Sequence, residues 1–274
     1  MAAHDIDAIA DRFVRARLAG VALADFPGSL PASLDEAYAC QDAAIARWPA
    51  PVAGWKVGYI APSQRTDSTD ERLVGPIFAD NVRRVADAEV IEFPVIDGGF
   101  AAVEGEFVFR LAVDAPARKV RWSAGEAATM VAAMHVGIEM AGSPLATINA
   151  LGPRVVVSDF GNNGGLLIGP EVADWRAQDE RAMNVLTFIE DIQVGEGSAA
   201  SIDGGPLAAL AFALSRNARR GRPLRAGDWI TTGAVTGIHD IVNGQQARVD
   251  FGPRGQLHVR AVNARNVAHR RHTR

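Results

Sequence analysis

Hydrophobic residues in the first fifty positions recur at intervals of three and four, which predicts two helices. Ile6, Ile9 and Phe13 would lie on one face of the first helix. The second would begin after Ser33, whose side chain can cap the helix while Glu36 returns the hydrogen bond. Two prolines then stop the helical pattern. We therefore predict an N-terminal helical layer.

Beyond this layer the pattern changes to short, β-rich segments separated by Gly, Pro, Asn and Asp. Two more helices are expected, one after a capping pair at Ser123 and Glu126 and one in the stretch "PLAALAFALSRNARRG". The predicted class is α+β, with a mainly antiparallel or mixed β core. We divide the chain into a helical segment (1–52), a β-rich catalytic domain (53–262) and a basic tail (263–274). The strand-like segments are "GWKVGYI", "RLVGPIF", "AEVIEF", "AAVEGEFVFRL", "VGIEM", "GGLLIG", "NVLTFIE", "DWITTG", "ARVDF" and "QLHVRAV".

Composition narrows the partners and the compartment. The 274 residues are 48% hydrophobic and 22% charged, with a net charge of −4, so no broad positive field is available for a nucleic acid. No apolar run is long enough to span a membrane, and the acidic, amphipathic N-terminus does not have the pattern of a signal peptide. Cys40 is the single cysteine, which excludes an internal disulfide and favours a reducing, cytoplasmic location.

Three glutamates carry the candidate chemistry. Glu104 and Glu106 in "VEGEFVF" would share one face of a strand, where two like charges repel unless a cation lies between them. A solvated strand face would also accommodate this pair. Glu139 in "VGIEM" has small, apolar neighbours, among which an unpaired carboxylate would be unfavourable. Three carboxylates without Cys or His at ligand spacing predict a Mg²⁺ or Mn²⁺ site, with His135 packed nearby rather than ligating.

The order of the motifs resembles a known family. "VEGEFVF", "IEMAGS", "NNGGLLIG", "GGPLAALAFAL" and "GRPLRAGDWITTGAVTG" resemble the fumarylacetoacetate hydrolase superfamily. "SLDEAYACQDAAI" and "GWKVGY" resemble its branch of 2-keto-4-pentenoate (2-hydroxypenta-2,4-dienoate) hydratases and 2-oxohex-3-enedioate decarboxylases. The resemblance implies a mixed β-sandwich or roll core of the fumarylacetoacetate hydrolase C-terminal type beneath the N-terminal helical layer. It also implies a homo-oligomer, either alone or complexed with a related pathway enzyme.

The resemblance also implies roles for individual residues. Glu104, Glu106 and Glu139 match the metal ligands of the family, and Lys56 and Asp80 match catalytic positions. Asp80 could equally be a turn residue before the next asparagine. The positions that match the substrate pocket are Ser143, Gly164, Gly165, Thr232 and Gly233.

Three positions near the pocket depart from the family pattern. Asn162 stands where the family commonly has an aspartate, and Asp159 is one place from the upstream acid of the family. Pro144 replaces a basic residue that often follows the pocket serine. The metal site is therefore expected to be intact, while the identity of the substrate stays open.

The function that we expect is a metal-dependent hydratase (a lyase) of aromatic catabolism. It would add water to 2-hydroxypenta-2,4-dienoate or a close analogue and give a 4-hydroxy-2-oxo acid. The alternatives are a 2-oxohex-3-enedioate (4-oxalocrotonate) decarboxylase and an acylpyruvate-type C–C hydrolase. The hydrolase needs a water-activating pair, for which His135 and His239 are the candidates. A catalytically silent relative is the non-enzyme alternative.

Overall fold

The computed structural model describes residues 1–65, 70–85 and 89–266. In this part of the chain, five α-helices and thirteen β-strands follow one another. The helices are α1 (Ala3–Ala19), α2 (Leu34–Arg47), α3 (Ala124–Ala128), α4 (Pro153–Ser158) and α5 (Pro206–Arg219). The strands are β1 (Val52–Tyr59), β2 (Arg72–Phe78), β3 (Val82–Arg84), β4 (Val90–Val95), β5 (Phe100–Leu111), β6 (Val131–Ser143), β7 (Asn163–Glu171), β8 (Asn184–Ile189), β9 (Ile192–Ser198), β10 (Trp229–Thr231), β11 (His239–Asp240), β12 (Gln246–Asp250) and β13 (Gln256–Asn263).

The strands form two mixed sheets. The larger one has eight strands in the order β2-β1-β10-β5-β6-β7-β3, with β11 added to β5. The smaller one has the order β4-β13-β12-β8-β9. Most neighbours are antiparallel, while β1 and β10, β3 and β7, and β4 and β13 run parallel. The predicted α+β class with a mixed β core is confirmed.

The two sheets pack face to face across β5. Gly105 faces the smaller sheet so closely that a Cβ atom there would lie 2.8 Å from Cγ1 of Val249. Phe107, on the same face of β5, packs edge-on against Phe251 with ring centroids 5.8 Å apart. Because side chains alternate along a strand, Glu104 and Glu106 point to the other side of the larger sheet. The candidate site therefore lies outside the layer between the sheets.

The N-terminal helices pack on the larger sheet and share its core. Ile9 and Phe13 of α1 belong to the same buried cluster as Trp55 of β1. From α2, the Gln41 side chain donates hydrogen bonds to the carbonyl oxygens of Val74 and Val157, at 3.0 and 2.9 Å. None of the helices among the described residues is both long and apolar enough to cross a lipid bilayer. The division at residue 52 stays a prediction, and most of the basic tail lies outside the described residues.

Some elements differ from the pattern-based prediction. The helix after Ser123 has only five residues, although its capping box forms as expected. The valine run of α4 is typical of a strand, but Pro153 in the first turn starts a helix there. β9 is a largely exposed edge strand with two glycines, and the alternation of Ile192 and Val194 with a polar residue is too short to have revealed it.

Candidate metal centre and active-site cavity

Three carboxylates from two neighbouring strands meet at one point. The antiparallel register of β5 and β6 places Glu104 directly opposite Glu139, and Glu106 lies two residues further along the same face. All three glutamates are buried, and each offers a carboxylate oxygen within 4.8 Å of the others. The predicted convergence of these three residues is therefore found in the structure.

Each of these glutamates keeps one unsatisfied oxygen. Oε1 of Glu104, Oε1 of Glu106 and Oε2 of Glu139 are buried and accept no hydrogen bond from the described residues. Burying a charged acceptor without a partner is costly, so three such carboxylates need protons or a cation to balance their charge. Oxygen-only donors of this kind suit Mg²⁺, Mn²⁺ or Ca²⁺ rather than Zn²⁺. The residues present thus fit a hard divalent cation.

The second oxygens of two of these glutamates are held by neighbouring groups. Oε2 of Glu106 accepts hydrogen bonds from the backbone N–H groups of Thr232 and Gly233, both at 2.7 Å. Strand β10 pairs with β5, which places the loop that follows it beside this carboxylate. Gly233 has a φ of 110°, a backbone conformation that favours glycine. Oε1 of Glu139 accepts a hydrogen bond of 3.0 Å from Asn163.

Lys56 supplies the one positive charge that contacts the cluster among the described residues. It extends from β1, is buried, and places its Nζ atom 3.3 Å from Oε1 of Glu139. Burial alone would lower the pKa of Lys56, but attraction to the three carboxylates outweighs it and raises the pKa. The side chain is therefore an ammonium group at neutral pH.

One ammonium group does not balance three carboxylates. Burial raises the pKa of Glu104 to about 7, with Lys56 opposing the shift and Glu139 adding to it. Burial, together with repulsion from Glu139 and Glu104, raises the pKa of Glu106 well above its ordinary value. Without a cation, the cluster holds protons that a bound divalent ion would displace.

A cavity of about 460 Å³ opens onto this cluster. Its lining includes the charged or polar residues Lys56, Glu104, Tyr59, Gln64, Asn149, Asn162 and Asp240, together with apolar side chains. A space of this size suits a small organic molecule. The cavity therefore adjoins the carboxylate cluster through Glu104.

The structure brings some of the sequence-predicted residues together and separates others. Lys56, the three glutamates, Thr232 and Gly233 lie in one place. Asp80, Ser143 and Gly164 line a different cavity of about 240 Å³, which shares no lining residue with the first. Gly165 pairs with Met140, where β7 approaches β6. The roles that the sequence assigned to the residues of both groups stay predictions.

Arg17 and Asp159 form a buried ion pair, to which Ser143 adds a hydrogen bond. Arg17 of α1 binds both carboxylate oxygens of Asp159, at 2.5 and 3.0 Å, and also the carbonyl oxygen of Asn163. The hydroxyl of Ser143 donates to the same carboxylate at 2.6 Å. Arg17 therefore anchors the turn that carries Asn162 and Asn163. The sequence did not reveal this role, because a charged residue in an amphipathic helix is typical of a solvent-exposed face.

Two asparagines that the sequence did not assign belong to the site. Asn162 is buried and accepts a hydrogen bond of 3.2 Å from Lys56, and its amide nitrogen donates to Asn149 at 3.1 Å. The departure from the family pattern at Asn162 was the only signal of its importance. His135 packs against Trp229 and bonds the Gly169 carbonyl, away from the carboxylates.

The site combines three carboxylates that could hold a hard cation with a lysine beside them, and the comparisons agree on the fold. No protein-family model matches the chain. Two solved structures of 4-oxalocrotonate decarboxylase from Pseudomonas putida G7, complexed with magnesium and adipate or with calcium and acetate, match 96% of this chain and 99% of theirs. Their TM-scores are 0.79 and 0.78, at 20% and 19% sequence identity.

A second protein extends the likeness. Fumarylpyruvate hydrolase from Pseudomonas aeruginosa, in complex with Mn²⁺ and pyruvate, matches with a TM-score of 0.55 and 19% identity over 78% of this chain and 91% of its own. These structures belong to the fumarylacetoacetate hydrolase superfamily. At such identities the likeness shows a shared fold, and it confirms the fold that the motif resemblance implies.

Proposed function

We propose that this chain is a divalent-metal-dependent hydratase that acts on 2-hydroxypenta-2,4-dienoate or a close analogue. The observation that carries the proposal is the set of three buried carboxylates with unsatisfied oxygens, beside the Lys56 ammonium and open to a cavity. Enzymes with the same fold, among them a decarboxylase and a hydrolase, have been solved with magnesium, calcium or manganese. We assign the ion here as Mg²⁺ or Mn²⁺, held by Glu104, Glu106 and Glu139.

The roles of the protein groups follow from their positions. When bound, the ion supplies positive charge that stabilises the negative charge developing on the 2-oxygen of the substrate. Lys56 Nζ donates hydrogen bonds to the substrate carboxylate at the inner end of the cavity. The N–H groups of Thr232 and Gly233 hold the Glu106 carboxylate in a fixed orientation. The cavity walls surround the substrate carbon chain and limit the access of water.

The proposed reaction is a tautomerisation followed by the addition of water. The dienol loses the proton of its 2-hydroxyl group and gains one at carbon 5, which gives a 2-oxo-3-enoate. The oxygen of one water molecule then bonds to carbon 4, and a proton is added at carbon 3. The product is 4-hydroxy-2-oxopentanoate, and no redox partner is required.

Decarboxylation of a 2-oxohex-3-enedioate is the second candidate, favoured by the likeness to the decarboxylase over 96% of the chain. Such a substrate has a second carboxylate at its far end. Among the described residues that line the cavity, Lys56 is the one cation, while Asp240 contributes a further negative charge. This charge distribution favours a substrate with one carboxylate, and hence the hydratase.

Hydrolysis of an acylpyruvate has less support. The sequence offered His135 and His239 as the water-activating pair for this activity. Neither His135 nor His239 is among the described residues that line the cavity, and His239 instead contacts Thr236. We therefore rank this activity third.

The test is an assay of the purified protein with Mg²⁺ against a dienoate, an enedioate and an acylpyruvate. We expect the dienoate absorbance to fall without release of carbon dioxide. Turnover of the enedioate with carbon dioxide release, and none of the dienoate, would establish the decarboxylase instead. Glu106→Gln should abolish turnover, whereas Glu196→Gln, the same change at an exposed position on β9, should not.

The remaining expectations stay proposals with simple tests. We propose a homo-oligomer that functions in the cytoplasm as part of aromatic catabolism. Light scattering of the purified protein at several concentrations measures the oligomeric state. Growth on aromatic carbon sources, compared with and without the gene, tests the pathway.

A further inference from the structure

The Asn149 amide lies on the wall of the 460 Å³ cavity, and a chain of hydrogen bonds determines its orientation. The chain begins at Lys56, whose Nζ atom donates to Oδ1 of Asn162 at 3.2 Å. An ammonium group has donors only, so Asn162 must present its oxygen to Lys56 and not its nitrogen. The first bond therefore determines which way the Asn162 amide faces.

The second bond determines the orientation of Asn149. Nδ2 of Asn162 donates to Oδ1 of Asn149 at 3.1 Å. An amide nitrogen cannot accept a hydrogen bond, so Asn149 must turn its oxygen toward Asn162. Its own Nδ2 then faces away from Asn162, and it donates no hydrogen bond to any described residue.

We call the hydrogen-bond chain from Lys56 through Asn162 to Asn149 the relay. The backbone at its centre is held by several contacts. Asn162 has a left-handed backbone, with φ of 55°, and its N–H donates to the Asp159 carbonyl at 2.8 Å. Arg17 forms an ion pair with the Asp159 carboxylate. The Gly161 backbone packs tightly, because a Cβ there would lie 3.0 Å from the Cα atom of Gly75. These contacts hold the Asn162 backbone in place, and the bonds to Lys56 and Asn149 orient its side-chain amide.

We propose that Asn149 is a specificity-determining residue whose Nδ2 donates a hydrogen bond to an uncharged oxygen on carbon 4 of the bound acid. This inference rests on the proposed function for the identity of the acid. The relay is about 11 Å long at most, which a five-carbon acid with a hydrogen bond at each end can span. The donor is neutral, and Asp240 on the same cavity repels a second carboxylate. The ligand class is therefore a 2-oxo monocarboxylate whose carbon 4 either carries the hydroxyl group of the product or is approached by the attacking water.

The test compares two acids that differ only at carbon 4. Binding of 4-hydroxy-2-oxopentanoate and of 2-oxopentanoate is measured by calorimetry with excess Mg²⁺. The wild-type protein should prefer the hydroxy acid by about 5- to 10-fold, the range for one neutral hydrogen bond. Asn149→Leu should lose this preference while it binds 2-oxopentanoate as before. Asn184→Leu, at an exposed position on β8, is the matched control and should retain the preference.

A second variant distinguishes the orientation of Asn149 from its direct contact with the ligand. Asn162→Leu leaves Asn149 in place but removes the bond that orients it, so the preference should shrink while Mg²⁺ binding persists. Thermal unfolding of each variant checks that it is folded. A preference unchanged by Asn149→Leu would refute this inference and leave the proposed function standing. A wild-type protein that bound neither acid would refute both.

Discussion

Glu104 on β5 and Glu139 on β6 face each other directly across an antiparallel strand pair, and each has a buried carboxylate oxygen without a hydrogen-bond donor among the described residues. Cross-strand pairs of like charge destabilise a sheet, and burial makes the cost larger. The ionised pair is therefore unfavourable for folding unless protons or a cation balance its charge. A buried, facing pair of carboxylates is expected at a cation site and is not expected in a strand that serves only the fold.

Glu104→Gln should abolish metal binding without harming the fold. This carboxylate has no protein donor for its inner oxygen, and neutralising it removes a buried charge. We expect the affinity for Mg²⁺ to fall by at least about 100-fold, because loss of an outer partner alone costs 10- to 100-fold. The metal-free variant should be at least as stable as the wild type in urea. A variant with unchanged Mg²⁺ affinity by calorimetry would contradict the ligand assignment.

Lys56→Met should separate metal binding from catalysis. The ammonium group lies 3.3 Å from Glu139 and repels a divalent cation bound to the same carboxylate. Its removal should strengthen Mg²⁺ binding by about tenfold. Turnover should fall by at least about 100-fold, because the substrate carboxylate loses its cationic partner. Lys119→Met is the matched control, since Lys119 is partly exposed and pairs with Glu126 instead.

Magnesium should stabilise the protein more strongly at alkaline pH. The pKa of Glu104 is about 7 in the folded protein, against an ordinary value of 4.5. The metal-free folded state therefore binds more protons than the unfolded state between these values, so its stability falls as the pH rises through this window. A bound cation offsets this loss because it binds the ionised carboxylates.

Thermal unfolding with EDTA or with excess Mg²⁺, at about pH 5.5 and pH 8, measures this effect. The increase in Tm caused by Mg²⁺ should be larger at the higher pH. Glu104→Gln should show little pH dependence of this difference. An equal increase at both pH values in the wild type would argue against proton displacement by the ion.

Arg17→Ala should destabilise the protein far more than Arg15→Ala in the same helix. Arg17 and Asp159 form a buried ion pair, and removal of one partner leaves an uncompensated buried charge. The expected loss is about 3–5 kcal/mol in the free energy of unfolding. Arg15 pairs with Asp11 on the surface, where the loss should be about 0.5 kcal/mol. Urea unfolding compares the two, and similar losses would show that the Arg17 pair is not structurally important.

Several features followed from the sequence alone because they depend on neighbours along the chain. Helical spacing and a capping serine located α2, and its side chain caps the helix as expected. Strand alternation placed Glu104 and Glu106 on one face, away from Gly105 and Phe107, which pack against the smaller sheet. That pair alone left a solvated strand face open, and Glu139 as a third carboxylate in an apolar segment was needed to predict a metal site.

Other features depended on contacts between distant parts of the chain. The strand register decides that Glu139 lies opposite Glu104, and the pairing of β10 with β5 decides which backbone groups hold Glu106. The relay from Lys56 through Asn162 to Asn149 joins three segments whose local patterns carry no common signal. The spacing of apolar residues in the sequence indicates which face of a strand or helix a side chain occupies. Only the packed structure decides which side chains from other segments contact that face.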